Sequence, residues 1–304
     1  MRSPIAVIGL GIMGSQLAAR IMGAGHVVRG FDIDPARMAS FAALGGQAAV
    51  SPADAAAGCE VVVLSLLTSD ISRDVCLGPN GISTTGTRPL LVLDSTTGDP
   101  EAAIEMASEL ASFGIEFADM TISGNAAVAE RGELVVMLGG SEAAYERAGD
   151  VMAAIGRSSH HVGPVGSGAR TKLIVNHVLA VNRTALAEGL VAAEMSGLDP
   201  AATLEVLRDS AARSGAMELW GDRMVAADHE RPNARLRQSH KDARLMVEHA
   251  QAVGAPTPAL DIARAILAEG EATGLANKDN SSVIEVLRRR AGIGRIATTE
   301  TETE

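Results

Sequence analysis

The segment from Ile5 to Asp32 constrains the fold more than any other part of this chain. A short apolar run, Ile5–Ile8, precedes glycines in the spacing G-x-G-x-x-G, an Ala/Leu/Met-rich stretch and a second apolar run that ends in Asp32. A strand, a glycine turn, a helix and a strand in this order form a βαβ unit whose helix N-terminus faces a pyrophosphate. The segment therefore predicts a dinucleotide site. Its turn residues are Gly9, Leu10, Gly11, Ile12, Met13 and Gly14.

Asp32 indicates which dinucleotide is bound. It follows the glycine turn by about 20 residues, where a carboxylate accepts hydrogen bonds from the ribose hydroxyls and repels a 2′-phosphate. This position favours NAD over NADP, although Arg37 stands close enough for NADP to stay possible. The alternative is that Asp32 only caps the helix that begins at Pro35.

Charge and composition limit the partners of the chain. Its formal net charge of −11 argues against nucleic acids and acidic membranes. No apolar run approaches the roughly 20 residues of a membrane span. The first strand begins so close to Met1 that we expect no signal peptide, and the two cysteines show no metal or redox spacing. We therefore expect a cytoplasmic protein without a metal site. An acidic chain can still bind a small anion, because local hydrogen-bond donors decide that.

Alternating strand-like and helix-like segments predict an α/β Rossmann domain with a doubly wound, mostly parallel sheet. Beyond the second strand, the predicted strands are Gln47–Val50, Val61–Leu66, Leu90–Asp94, Ile115–Ala118, Leu134–Leu138 and His160–Val162. Turn residues follow Gly163, and only helical patterns occur beyond them. We predict a dinucleotide-binding domain over residues 1–163, an all-helical substrate and oligomerisation domain over residues 164–295, and a disordered acidic tail over residues 296–304.

One long helical pattern, from Arg170 to Ser196, is predicted to join the two domains. Some of its apolar residues recur at helical spacing and predict a buried stripe. The stripe consists of Ile174, Val178, Val181 and Ala185. Because the helix has further apolar positions beyond this stripe, we expect a homo-oligomer.

Lysine is rare in this chain, which uses arginine for nearly all of its positive charge. Of 26 basic residues, only Lys172, Lys241 and Lys278 are lysines. Unlike a guanidinium, an amine can lose its proton when it is desolvated or lies near another cation. Asn176 follows Lys172 by one helical turn, so both side chains project from one face and could protonate and orient a carbonyl oxygen. The alternative is a solvated Lys and Asn pair.

Five segments in chain order resemble the β-hydroxyacid dehydrogenases, a family that includes 3-hydroxyisobutyrate dehydrogenase and tartronate semialdehyde reductase and is related to 6-phosphogluconate dehydrogenase. The resemblance covers Ile5 to about Ala291. The segments are Gly9–Gly14, Asp94–Thr97, Ile122–Gly124, Gly166–Lys172 with Asn176, and the pair Lys241 and Asp242. The family implies a homodimer or homotetramer.

The resemblance implies a role for each matching residue. Lys172 would be the general acid and base, and Asn176 would bind the substrate. Ser123, Gly124 and Asn125 would hold the substrate carboxylate. The implied cofactor-binding residues beyond the glycine turn and Asp32 are Leu66, Leu67, Thr96 and Lys241, with Asp242 orienting Lys241.

Several residues depart from the family pattern. Asn125 replaces the usual second loop glycine, and Leu67 replaces a common proline. Ser123 could also be a simple N-cap of a helix over residues 126–129.

The resemblance implies an NAD(P)-dependent oxidoreductase, with NAD favoured, that transfers a hydride between the nicotinamide and a small 3-hydroxy carboxylate. 3-Hydroxyisobutyrate and 2-hydroxy-3-oxopropionate are typical of the expected substrates. The alternatives are an imine reductase on the same scaffold and a non-catalytic dinucleotide-binding protein.

Overall fold

The computed structural model describes residues 3–85 and 91–293. Its Cα positions group into two compact units, Met1–Val175 and Asn176–Glu304. The boundary between the units lies inside the long helix, whereas the sequence pattern places a domain boundary at Gly163. The predicted acidic tail, residues 296–304, lies outside the described residues.

The first unit is built on one sheet. In the described residues its strands are β1 (Ile5–Ile8), β2 (Val28–Phe31), β3 (Gln47–Ala48), β4 (Val61–Leu64), β5 (Leu91–Asp94), β6 (Glu116–Ser123), β7 (Leu134–Gly139) and β8 (Gly156–Gly163). Their order is β3-β2-β1-β4-β5-β6-β7-β8, and neighbouring strands are parallel except β6 and β7. The predicted doubly wound, mostly parallel sheet is thus confirmed. Because the strand order reverses between β1 and β4, their carboxyl ends form the switch point at which ligands bind.

Helices connect these strands. They are α1 (Ile12–Gly23), α2 (Pro35–Ala43), α3 (Pro52–Ala56), α4 (Ser69–Leu77), α5 (Pro100–Ala111), α6 (Ala126–Glu130), α7 (Glu142–Arg147) and α8 (Gly149–Ile155). The side chains of Asp34, Thr68 and Asp99 cap α2, α4 and α5 by accepting a hydrogen bond from the first turn. A proline at the start of α2, α3 and α5 adds to these local signals.

The central strands are buried on both faces. In β1, Ile5 and Val7 belong to one core cluster, whereas Ala6 and Ile8 belong to another. A parallel sheet covered by helices on both sides needs apolar residues at every strand position. This explains why β1 and β4 are unbroken apolar runs in the sequence.

The described residues of the second unit form helices and no strand beyond an isolated bridge between Arg235 and Asp279. The long helix α9 (Ser167–Met195) continues into this unit from the first. The other helices are α10 (Pro200–Asp209), α11 (Asp222–Ala226), α12 (Leu236–Ala252), α13 (Pro258–Gly270) and α14 (Val283–Arg290). A π-helical turn, Met217–Gly221, precedes α11. The helical character predicted for this part of the chain is confirmed.

The buried stripe predicted for α9 is wrong. Ile174 and Val178 are 59% and 55% exposed, Ala185 is also exposed, and Val181 is only half-buried. The apolar residues that α9 buries include Leu173, Ala180, Leu186, Ala187 and Leu190. Apolar residues occur all around this helix, so spacing alone does not define its core face.

The two adjacent histidines on β8 have different environments. His161 bonds the carbonyl oxygen of Gly140 through Nε2 at 2.8 Å, and its ring stacks on Tyr145, whereas the neighbouring His160 is exposed.

Within the described ranges, no cluster of three or more His, Cys, Asp or Glu side chains could hold a metal ion. The described helices include none with the length and apolar character needed to cross a membrane.

Candidate functional site

The glycine turn between β1 and α1 has a backbone that other residues could not adopt. Gly9 has a φ of +89°, and a Cβ on it would lie 2.3 Å from the carbonyl oxygen of Ser65. A Cβ on Gly14 would lie 1.8 Å from the carbonyl oxygen of Gly9. The turn therefore brings α1 against β1, and its free N–H groups lie at the switch point of the sheet. This cradle fits the pyrophosphate of a dinucleotide.

Asp32 directly follows β2 and is buried. Its Oδ2 accepts a hydrogen bond from the Leu10 N–H at 2.7 Å, and its Oδ1 accepts one from the Asp34 N–H at 2.9 Å. Arg37 Nη1 lies 3.3 Å from the same Oδ2. The alternative role of Asp32 as the cap of α2 is wrong, because Asp34 caps that helix by accepting from the Ala36 N–H at 2.9 Å.

Arg37 and the glycine turn also border a cavity of about 310 Å³ between α1 and α2. Its lining includes Leu10, Gly11, Ile12, Ser15, Ser40 and Phe41. Arg37 is about half exposed, with a side-chain exposure of 49%. A guanidinium at this position could meet either the ribose end of a dinucleotide or a phosphate on it.

Thr96 links the segments that follow β4 and β5. Its Oγ1 accepts a hydrogen bond from the Leu66 N–H at 3.1 Å, and the Ser72 hydroxyl lies 3.2 Å away. The Thr96 N–H donates to Asp94 Oδ1 at 2.9 Å. Leu67, the next residue along the chain, is 64% exposed beside this anchored loop. Thr96 thus holds the loop that carries the predicted cofactor contacts Leu66 and Leu67.

Asp94 and Asp119 are register partners on β5 and β6, and both are buried. Burial raises the pKa of both carboxyl groups, that of Asp119 to about 6. Asp119 accepts hydrogen bonds from the N–H groups of Gly166 at 2.8 Å and Ala169 at 2.6 Å. These bonds attach the start of α9 to β6.

Thr121 adds a further link at the same place. Its hydroxyl donates to the carbonyl oxygen of Gly168 at 2.9 Å. Asp119 and Thr121 are not among the predicted site residues, because the predicted strand ends at Ala118. Two polar residues at alternate positions of an otherwise apolar strand are the signal that could have found them.

Lys172 lies in α9 three residues after Ala169 and is only 9% exposed. The alternative of a solvated lysine is therefore wrong. Asn176 follows one helical turn later and is half-buried. Asp119 and Thr121 act on the backbone just before Lys172, so they restrict where its amine can lie.

The predicted substrate loop lies at the end of β6. Gly124 has a φ of +140°, and a Cβ on it would lie 2.7 Å from Leu134. Asn125, and not Ser123, caps α6, since its Oδ1 accepts from the Val128 N–H at 3.0 Å. The simple capping role considered for Ser123 is therefore wrong, and Asn125 keeps the amide NH2 that capping does not use.

Lys241 and Asp242 lie side by side on α12 in the second unit. Lys241 Nζ is 3.0 Å from Asp242 Oδ1, and the neighbouring His240 bonds Glu271 through Nδ1 at 2.5 Å. The structure thus brings together the glycine turn with Asp32, Leu66 with Thr96, and Lys241 with Asp242. Lys278, the third lysine, pairs with Glu230 at the surface.

Comparison with known sequences covers both units. Residues 4–163 match the NAD binding domain of 6-phosphogluconate dehydrogenase, and residues 166–287 match a domain described as NAD-binding of NADP-dependent 3-hydroxyisobutyrate dehydrogenase. The chain belongs to the β-hydroxyacid dehydrogenase family. As a member of this family it is an NAD(P)-dependent oxidoreductase. The family membership does not support the alternative hypothesis of a non-catalytic dinucleotide-binding protein.

Individual relatives align with this β-hydroxyacid dehydrogenase over nearly its whole length. 2-(Hydroxymethyl)glutarate dehydrogenase of Eubacterium barkeri is 32% identical over 95% of this chain and 96% of its own. 3-Hydroxyisobutyrate dehydrogenase of Pseudomonas aeruginosa is 32% identical over 93% and 98%. The crystal structure of 3-hydroxyisobutyrate dehydrogenase from Salmonella typhimurium has a TM-score of 0.86 at 27% identity, covering 94% of this chain and all of the other.

Imine reductases share the fold of this β-hydroxyacid dehydrogenase at lower similarity. The structure of imine reductase from Pseudomonas sp. has a TM-score of 0.63 at 18% identity. This similarity shows a common fold and carries no argument for imine reduction.

Proposed function

We propose that this enzyme oxidises a small 3-hydroxy carboxylate, or reduces the corresponding aldehyde, with NAD as its favoured cofactor and Lys172 as general acid and base. The observation that carries the proposal is the burial of Lys172 on α9, with Asn176 one turn further on the same face. A buried amine is shielded from water and can exchange a proton directly with a bound hydroxyl group.

The proposed division of labour follows from the chemistry of the side chains. Bound NAD⁺ supplies the acceptor for the hydride. Lys172 accepts the hydroxyl proton during oxidation and returns it during reduction. The Asn176 amide donates to the substrate oxygen and orients it. The substrate carboxylate accepts charge-assisted hydrogen bonds from the Ser123 hydroxyl, the Gly124 N–H and the Asn125 amide.

The relatives support the substrate class. Their names include 2-(hydroxymethyl)glutarate dehydrogenase, 3-hydroxyisobutyrate dehydrogenase and 3-sulfolactaldehyde reductase. The first two substrates carry a primary alcohol on the carbon next to the one bearing a carboxylate, and the corresponding products are aldehydes. We propose the same reacting end for this enzyme, with the remainder of the substrate set by residues of its own.

Lys172→Met tests the proton-transfer role, because methionine retains the length of the side chain without its amine. General acid–base catalysis contributes about 100- to 10,000-fold. We therefore expect kcat for hydroxy-acid oxidation to fall by at least about 100-fold, with NADH binding retained. Lys278→Met is the matched control, since that lysine pairs with Glu230 at the surface. Equal activities of the two variants would contradict the proposal.

Asp32 supports the preference for NAD. Its carboxylate is held at the end of β2 by two backbone N–H groups, so it cannot turn away from an adenosine ribose. Asp32→Ser should raise kcat/KM for NADP⁺ relative to NAD⁺ by about tenfold or more, because it removes the charge that repels a 2′-phosphate. Arg37→Met in that background should reverse much of the gain. A cofactor ratio that Asp32→Ser leaves unchanged would refute the assignment.

We propose that the enzyme is a homodimer or homotetramer. The exposed apolar side of α9, with Ile174 and Val178, supports an assembly in which a second copy covers it. Sedimentation of the wild type and of Val178→Lys tests this, since a charge in an apolar interface should shift the enzyme to smaller species. Substrate binding by the second unit and a cytoplasmic location stay predictions.

A further inference from the structure

A separate group of polar residues surrounds Arg183 in the second unit. Arg183 lies on α9, is only 3% exposed, and has its guanidinium carbon 5.0 Å from the centroid of the Trp220 ring. Its Nη1 donates to the hydroxyl of Ser239 at a long 3.3 Å, and its Nε has no hydrogen-bond partner among the described residues. A guanidinium has five N–H donors, and the hydrogen bond to Ser239 uses one of them.

The carboxylates near Arg183 already have cations of their own. Asp279 lies 3.2 Å from Arg223 Nη1, and Asp242 lies 3.0 Å from Lys241 Nζ. No carboxylate of the described residues forms an ion pair with Arg183 itself. Burial lowers the pKa of Arg183 to about 10, although Asp279 and Asp242 act in the opposite direction. Arg183 is thus a buried cation without a carboxylate in direct contact among the described residues, which is a costly arrangement.

Asn280 provides a second incompletely bonded group at the same place. It is 4% exposed, and its Nδ2 donates to the Ser239 hydroxyl at 3.0 Å, while its Oδ1 has no partner among the described residues. If its amide turns by 180°, Oδ1 accepts from the Ser239 hydroxyl and the NH2 group becomes a free donor. Arg183 and Asn280 then both present N–H groups, which are the partners that an oxyanion needs.

We propose that Arg183, with Ser239 and Asn280, binds a second anionic group of the substrate, so that the enzyme acts on 3-hydroxy acids with an anionic tail. This inference rests on the proposed function. Asn176, the proposed ligand of the reacting oxygen, lies on the same face of α9 seven residues earlier, or about 10 Å along the helix axis. Long side chains on a helix lean toward its N-terminus, which brings the Arg183 guanidinium closer to Asn176.

Trp220 allows the site to be tested without turnover. It is the only tryptophan of the chain and contacts the guanidinium that would bind the anion. We would titrate the wild-type enzyme with glutarate, a dicarboxylate without a hydroxyl group, and follow tryptophan emission. Butyrate, with one carboxylate, and sulfate serve as the comparison ions. We expect a saturable change with glutarate that is at least about tenfold weaker in Arg183→Met and is retained in Arg213→Met, which removes an exposed arginine of the same unit.

Kinetics then connect the site to substrate choice. In Arg183→Met we expect KM for 2-(hydroxymethyl)glutarate to rise at least about tenfold, with KM for 3-hydroxyisobutyrate and both kcat values little changed. A structural role alone would affect both substrates equally, and that result would overturn the proposal. If circular dichroism shows that Arg183→Met does not fold, Arg183→Lys and Ser239→Ala replace it. For each of them the change in KM relative to the wild type is again compared between the two substrates.

The fluorescence titration and the kinetic measurements distinguish failure of the proposed reaction from failure of the proposed anion site. Absence of turnover with every hydroxy acid, together with a glutarate response that depends on Arg183, would refute the proposed reaction and leave the anion site supported. No emission change with any anion would mean that the site holds only water, and would overturn the inference. An equal response to sulfate, butyrate and glutarate would indicate an adventitious ion only and would also overturn it.

Discussion

Replacing Asp119 with asparagine should change how the free energy of unfolding depends on pH. Asp119 is 3% exposed, and burial raises its pKa from 3.8 to about 6 although the N–H groups of Gly166 and Ala169 lower it. A carboxyl group whose pKa is higher in the folded state stabilises the fold fully below its unfolded-state pKa, and this stability is lost as pH rises through the folded-state pKa. The difference between the two pKa values corresponds to about 3 kcal/mol, lost between about pH 4 and pH 6.

Asparagine does not titrate, so Asp119→Asn removes this pH dependence. The free energy of unfolding in urea, wild type minus variant, should fall by roughly 2–2.5 kcal/mol from about pH 4 to pH 7.5, and by roughly half of that above about pH 5. Circular dichroism and Trp220 emission would report the unfolding. The lost hydrogen bond of the variant adds an offset that is independent of pH. Asp70→Asn, at an exposed aspartate of the first unit, is the control. Parallel curves for wild type and Asp119→Asn would refute the reasoning.

Two further substitutions test the packing of each unit. Gly14→Ala would place a Cβ 1.8 Å from the carbonyl oxygen of Gly9 and force α1 away from β1. A cost of about 1–3 kcal/mol or more should lower Tm and weaken NADH binding, and an unchanged Tm would contradict it. Arg288→Leu removes the buried cation whose Nε lies 3.1 Å from Glu194, which should cost about 3 kcal/mol in urea unfolding. The neighbouring, exposed Arg289→Leu should cost far less, and equal costs would contradict a role for burial.

The first βαβ unit could be predicted because its signals are local. The apolar run of β1, the glycine spacing and the strand that precedes Asp32 all lie within 32 residues, and each meets a backbone requirement of the unit. Gly9 needs a positive φ and Gly14 needs the space of a missing Cβ, so residue type alone reveals the turn. The mostly parallel sheet followed from the alternation of strands and helices.

The end of β6 could not be predicted by the same reasoning. The strand continues to Ser123, beyond the predicted end at Ala118, although it contains Asp119 and Thr121. These side chains are buried because backbone groups of residues 166–169, over 40 positions later in the chain, accept and donate their hydrogen bonds. The alternation of Asp119 and Thr121 places both side chains on one face of the strand, but only the tertiary structure shows the distant groups that make their burial favourable.

The sequence by itself determined which kinds of structure this chain forms and which residue types can hold a dinucleotide, because strand alternation, glycine spacing and helix caps act between near neighbours. Only the tertiary structure decided which side of α9 is buried, that Asn125 and not Ser123 caps α6, and that Arg183 lies buried beside Trp220 and Ser239. Burial and unsatisfied charge depend on contacts between residues that are far apart in the chain. The spacing of residues within one segment does not reveal such contacts.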